Sequence, residues 1–110
     1  MSSKYGAIKT VVDNITFDSL KEARRYKVLK ELEEQGKIKN LTIHPKFLLQ
    51  DKFKHKGKTH RKITYSADFQ YEENGDIVVE DVKGYKTDTY RMKMKMFLFR
   101  YGDKCEFKET

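Results

Sequence analysis

Polar and apolar positions give two β-prone runs, Lys9-Thr10-Val11-Val12 and the alternating Ile15-Thr16-Phe17, and Asp13-Asn14 between them predicts a short N-terminal hairpin. The period then lengthens. Leu20, Ala23, Tyr26, Leu29 and Leu32 recur at intervals near three, Ser19 and Glu22 stand in the spacing of a capping box, and Gly36 marks the end of a helix. From Ile38 to Gln50 the chain is strand-like, with Leu41, Ile43, Phe47 and Leu49, but Pro45 confines that part to an edge or a bulge. Residues 51–60 read as a mobile loop. Ile63–Tyr71 and Ile77–Val82 are strand-like and flank Asn74-Gly75, the strongest short hairpin signal, because a type I′ turn needs positive φ at both central residues. After Gly84, Thr87 or Asp88 can cap a second helix with Tyr90, Met94, Phe97, Leu98 and Tyr101 on one stripe. Lys93 and Lys95 alternate with methionines as a strand would, but Met and Lys favour helix and the stripe continues to Tyr101. A short strand over Lys104–Lys108 closes the chain. The expected class is therefore α/β (α+β), in the order α-β-β-β-α-β after the hairpin.

Composition limits the core. The 110 residues suit one domain, 1–110, with 37% hydrophobic and 37% charged positions, and 7 Tyr and 7 Phe supply its large buried surfaces. No apolar run approaches the roughly 20 residues of a membrane span. Met1-Ser2-Ser3-Lys4 lacks the apolar stretch of a signal peptide, so a cytoplasmic protein is expected. Cys105, the single cysteine, cannot form an internal disulfide, and no Cys or His spacing suits zinc, which argues against redox chemistry and a structural zinc site.

The net charge of +7 is concentrated in two stretches. Residues 51–62 hold Lys52, Lys54, Lys56, Lys58, Arg61 and Lys62 against Asp51, a local charge of +5. Residues 84–100 hold Lys86, Arg91, Lys93, Lys95 and Arg100 against Asp88, a further +4. Clustered Lys and Arg are the footprint of a phosphate-backbone partner, whose binding releases counterions. A solvated loop and a solvated helix face are the alternative. His55 and His60 fall in the first stretch, and neither they nor His44 have paired spacing for a metal.

Between the basic stretches lies an acidic pair. With Asn74 and Gly75 at the turn, counting back along both strands puts Asp68 opposite Asp81 and Ser66 opposite Lys83 on one face. Ile63, Tyr65, Ala67, Phe69, Val78 and Val82 fall on the other, together with Glu80. Facing aspartates repel, so a cation between them is implied, and Mg²⁺, a hard ion that takes carboxylate oxygens and keeps waters and phosphate oxygens as its other ligands, suits the pair. Lys83 points the same way and can set an ammonium beside a metal-bound water or a reacting phosphate. An Asp81–Lys83 salt bridge on a solvated face is the competing reading.

The ordered set of helix Glu22, Ser66-Ala67-Asp68-Phe69, and Asp81-Val82-Lys83 followed by Gly84 resembles the PD-(D/E)XK nuclease superfamily. It is similar in particular to small phage-encoded members of unknown function, and more distantly to phage Holliday-junction resolvases and transposon end-cleaving endonucleases. Tyr5-Gly6-Ala7, Phe17-Asp18-Ser19, Pro45-Lys46-Phe47 and Ile63-Thr64-Tyr65 extend the likeness over nearly the whole chain. The resemblance implies a restriction-endonuclease-like core with a mixed central sheet flanked by two helices. It also implies that Asp68 and Asp81 bind Mg²⁺ (or Mn²⁺), that Lys83 assists the attacking water, and that Glu22 adds a ligand from the first helix. Ala67 stands where the superfamily name has proline, and Asp81 where many members have glutamate; neither change removes a ligand.

The expected activity is a Mg²⁺-dependent endodeoxyribonuclease of phage type, with preference for branched or recombining DNA. Its backbone contacts would come from Lys52, Lys54, Lys56, Lys58, Arg61, Lys62, Lys86, Arg91, Lys93 and Lys95. Symmetric cutting of two strands by so small a domain implies a homodimer. The rivals are a non-catalytic nucleic-acid-binding protein and a phage regulatory protein whose basic face binds an acidic protein.

Overall fold

The computed structural model describes residues 9–82 and 86–110. Strands β1 (Thr10–Val12) and β2 (Ile15–Phe17) form the expected hairpin, with Asp13 and Asn14 at φ 52° and 62° in its turn. Helix α1 (Leu20–Glu34) follows, capped by Ser19, whose hydroxyl accepts the Glu22 amide at 3.1 Å. It ends in a Schellman motif. Gly36, at φ 75°, donates to the Glu33 carbonyl and Lys37 to the Leu32 carbonyl.

Strands β3 (Lys39–Ile43) and β4 (Lys46–Gln50) are separated by His44-Pro45, and β5 (Phe53–His55) and β6 (Lys58–His60) follow. The stretch expected to be a loop is thus largely a hairpin. Its turn is Lys56-Gly57, both at positive φ (50° and 79°), and lysine is a weak signal for that conformation. Strands β7 (Ile63–Ser66) and β8 (Phe69–Glu73) replace the single strand expected over Ile63–Tyr71. The break at Ala67-Asp68 lies across from Pro45. β4 pairs with β7 and β3 with β8, and the two ladders are joined where the His44 amide donates to the Asp68 carbonyl (3.0 Å) and the Ala67 amide to the Pro45 carbonyl (3.1 Å). Proline has no amide to continue the ladder and His44 takes φ 53°, so both long strands bend together.

Strand β9 (Asp76–Asp81) returns from the Asn74-Gly75 turn, whose residues sit at φ 53° and 84°. Its register is the counted one, from Glu73 opposite Asp76 to Phe69 opposite Glu80. Lys83 and Gly84 lie outside the described residues, so the expected facing of Ser66 and Lys83 does too; within the β4–β7 ladder Ser66 faces Lys46. Helix α2 (Asp88–Tyr101) is capped by Thr87, and β10 (Glu106–Glu109) lies parallel beside β9, slightly later than Lys104–Lys108. The result is a mixed α+β fold with a four-stranded sheet in the order β10-β9-β8-β3. In chain order the two helices and the strands of that sheet run α1, β3, β8, β9, α2, β10, with β4–β7 inserted between β3 and β8.

Two apolar clusters flank the strands. Phe17, Ala23, Tyr26, Leu29, Ile38, Phe69, Tyr71, Val78 and Val82 pack with α1, and Leu49, Tyr65, Ala67, Val79, Tyr90 and Phe97 pack with α2. The single core face expected for Tyr65, Ala67 and Phe69 is therefore divided. The bend at Ala67-Asp68 shifts the phase of alternation and sends Tyr65 and Ala67 to the opposite cluster from Phe69. Among the described residues no helix is long and apolar enough to cross a membrane.

Candidate functional site

Both strand breaks and the first turn of α1 meet at one place. Glu22 comes from the helix, His44 from the β3–β4 bend, Asp68 from the β7–β8 bend, and Asp81 from the end of β9. Glu22, Asp68 and Asp81 are 3%, 8% and 0% exposed, which overturns the reading of Asp81 as a residue of a solvated face. The capping-box reading of Glu22 is realised by its amide, bound to Ser19, while its carboxylate accepts from or pairs with His44 (Oε1 to Nε2, 2.8 Å). Ligand-capable atoms of Glu22, His44 and Asp68 all lie within 4.8 Å of one another.

Such crowding of buried carboxyls has an electrostatic consequence. Asp68 is pushed up to about 8, first by burial, then by the hydrogen bond it shares with Asp81, the Asp81 charge and the Glu22 charge. The Val82 amide, which donates to Asp68 Oδ2 at 2.6 Å, opposes the shift without cancelling it. Burial and its two acidic neighbours thus favour the protonated form of the Asp68 carboxyl, whose proton stands in for a cation. The Tyr65 hydroxyl donates to Asp81 Oδ2, and burial together with that bond raises its own ionisation well above the usual phenol range.

Glu80 belongs to a different environment, as the strand alternation implied. It is fully buried and held by the Arg25 fork (Nε to Oε2 2.6 Å, Nη2 to Oε1 3.0 Å), the Tyr71 hydroxyl (2.7 Å) and the Thr110 hydroxyl (3.1 Å). Burial alone would raise it, but the bonds from Arg25 and Tyr71 and the Arg25 charge outweigh that and hold it below the usual carboxylate range. This is a structural clamp between α1, β9 and the last residue of the chain.

The basic residues fall in two groups, as expected. Lys52, Lys54, Lys56, Lys58, Arg61 and Lys62 are exposed on and beside the β5–β6 hairpin. Near α2, Lys86 pairs with Glu109 (3.4 Å) and Arg91 with Asp88 (3.7 Å), Lys95 is exposed and Lys93 half-buried. Lys83 lies outside the described residues.

Two members of the site, His44 and Tyr65, were not legible as such. His44 lacks a partner at metal spacing in sequence, and its only signal is that it precedes the strand-breaking Pro45. Tyr65 sits on the face away from Asp68 in any continuous strand, and only the bend brings its hydroxyl to Asp81.

Over residues 2–108 the chain matches a family model described as a protein of unknown function, DUF1064. No curated protein and no solved structure matches it.

Proposed function

The chain belongs to the DUF1064 family, whose description assigns no activity, so function has to be read from the site, and we propose that the protein is a Mg²⁺-dependent endodeoxyribonuclease with a restriction-endonuclease-like core. One observation carries the reading: Asp68 and Asp81 are buried against each other with Glu22 close by, an arrangement that is costly unless a cation or proton sits among the carboxyls. The α1, β3, β8, β9, α2, β10 order supports the fold half of it.

The donor set fits the ion. Carboxylate oxygens from Glu22 and Asp68, with Asp81 beside Asp68, suit Mg²⁺, and the imidazole of His44 in the same cluster suits Mn²⁺ as a substitute. When bound, such an ion activates water and offsets charge at the reacting phosphorus. The chain's own groups do the rest. Tyr65 fixes the orientation of Asp81, the Val82 amide fixes Asp68, and Asp68 releases its proton as a ligand is accepted. His44, whose side chain is 38% exposed, connects the buried carboxyls to solvent. Lys83 is assigned the attacking water by resemblance to the superfamily, and the basic ribbon and α2 the phosphate backbone. Cutting both strands symmetrically requires a homodimer, and branched or recombining DNA is the substrate we favour.

Supercoiled plasmid and branched oligonucleotides incubated with Mg²⁺, Mn²⁺ or EDTA test the proposal. Metal-dependent nicking should fall by at least about 100-fold in Asp81→Ala and in Lys83→Ala. Nicking that ignores EDTA, or that survives Asp81→Ala, would overturn it. Binding without cutting would favour a non-catalytic nucleic-acid-binding protein, which the exposed basic ribbon alone would account for.

A further inference from the structure

The β5–β6 hairpin and its flanks carry dense positive charge and stay exposed. No residue from 51 to 62 is buried, and only His60 is half-buried. Six Lys and Arg side chains stand there against one acid, Asp51. A hairpin with three-residue strands is marginal by itself. Here it is stiffened by Phe53 and His60, which face each other in register with ring centroids 4.9 Å apart and planes 14° apart. Phe53 nonetheless stays 47% exposed. A stiff, cationic, two-stranded ribbon results.

From its base a basic track leads back to the site. Lys46, Leu48, Asp51, Lys62 and Thr64 line an open groove of about 370 Å³ on the β4–β7 pair, and Lys46 faces Ser66, two residues before Asp68. We propose that the β5–β6 ribbon enters the major groove of duplex DNA, with Lys54, Lys56 and Lys58 on the flanking phosphates. The inference rests on the preceding one in taking DNA as the partner, and adds which form of nucleic acid is held and by which element.

The fit is one of size and charge. Paired strands lie about 4.8 Å apart, and the B-DNA major groove, about 12 Å wide, admits such a ribbon. The major groove of an A-form RNA duplex is too deep and narrow for side chains to enter. Charge complementarity favours phosphates over an apolar partner, since nothing but the half-covered Phe53 ring offers apolar surface there.

Fluorescence anisotropy with the full chain in EDTA tests the proposal apart from any cleavage, using a short DNA duplex and an RNA duplex of the same sequence. The DNA duplex should bind at least about tenfold tighter than the RNA duplex, between about 50 and 200 mM salt. K54A/K56A/K58A should weaken DNA binding at least about tenfold and lower the log–log salt slope by about 2 to 3, near 0.9 per lost phosphate contact. Phe53→Ala should weaken binding with the slope unchanged, because it removes stiffness and no charge. All three lysines are exposed, so melting temperatures should match the wild type. Equal affinity for the two duplexes, an unchanged slope in the triple variant, or no DNA binding by the wild type would overturn the proposal; the last would point to an acidic protein partner. A chain that passes here but never cuts keeps the ribbon and loses the nuclease reading. One that cuts while the triple variant binds normally does the reverse.

Discussion

Asp68 lies between Asp81 and the Glu22 charge, and its carboxyl keeps a proton up to about 8 because burial and both neighbours disfavour its anion. An amide in its place would keep the oxygen that accepts from Val82 and could donate to Asp81 while carrying no charge. Asp68→Asn should therefore raise the melting temperature at pH 8 in EDTA by several degrees, at roughly 4–8 °C per kcal/mol for a chain of this size, and abolish metal-dependent cutting. A lower melting temperature in differential scanning calorimetry would mean that the anion is stabilised after all. The meeting of Asp68 and Asp81 was legible because one turn type at Asn74-Gly75 fixes every pair along the two strands. His44 and Tyr65 were not, because their places depend on two bends that no local rule locates to the residue.

Among elements, one buried carboxylate adds a polar link to the apolar packing of α1 on the sheet. Glu80 is fully buried, and Arg25 pairs with it from a side chain 24% exposed. Arg25→Met should cost about 3–5 kcal/mol, since it leaves an uncompensated buried charge, whereas R25M/E80M should recover most of that loss. Urea unfolding of both variants decides it; equal destabilisation by the single and double changes would show that packing, not charge, makes the link. The helices and the β8–β9 hairpin were readable because caps, periodicity and turn residues agree in each. The Lys56-Gly57 hairpin was not, since lysine at positive φ leaves no composition signal, and a run of lysines reads as a loop by charge alone.

At the scale of the whole molecule, two buried carboxyls pull stability in opposite directions with pH. Asp68, raised in the folded state, binds more protons folded than unfolded between the ordinary carboxylate range and about 8, so its contribution is complete below that range, declines above it and is lost as pH rises through about 8. Glu80, lowered in the folded state, contributes fully above the ordinary carboxylate range and loses that contribution as pH falls below it. In EDTA the chain should therefore be most stable in mild acid, near pH 5, and decline toward pH 8. If Glu22, Asp68 and Asp81 hold Mg²⁺, the ion competes with the Asp68 proton, and its stabilisation grows with pH as RT ln(1 + [L]/Kd). Added Mg²⁺ should then raise the urea midpoint at pH 8 far more than at pH 5 and move the optimum toward neutrality. Stability that climbs from pH 5 to pH 8 in EDTA would refute the raised Asp68 carboxyl. A Mg²⁺ effect independent of pH would place the ion away from it.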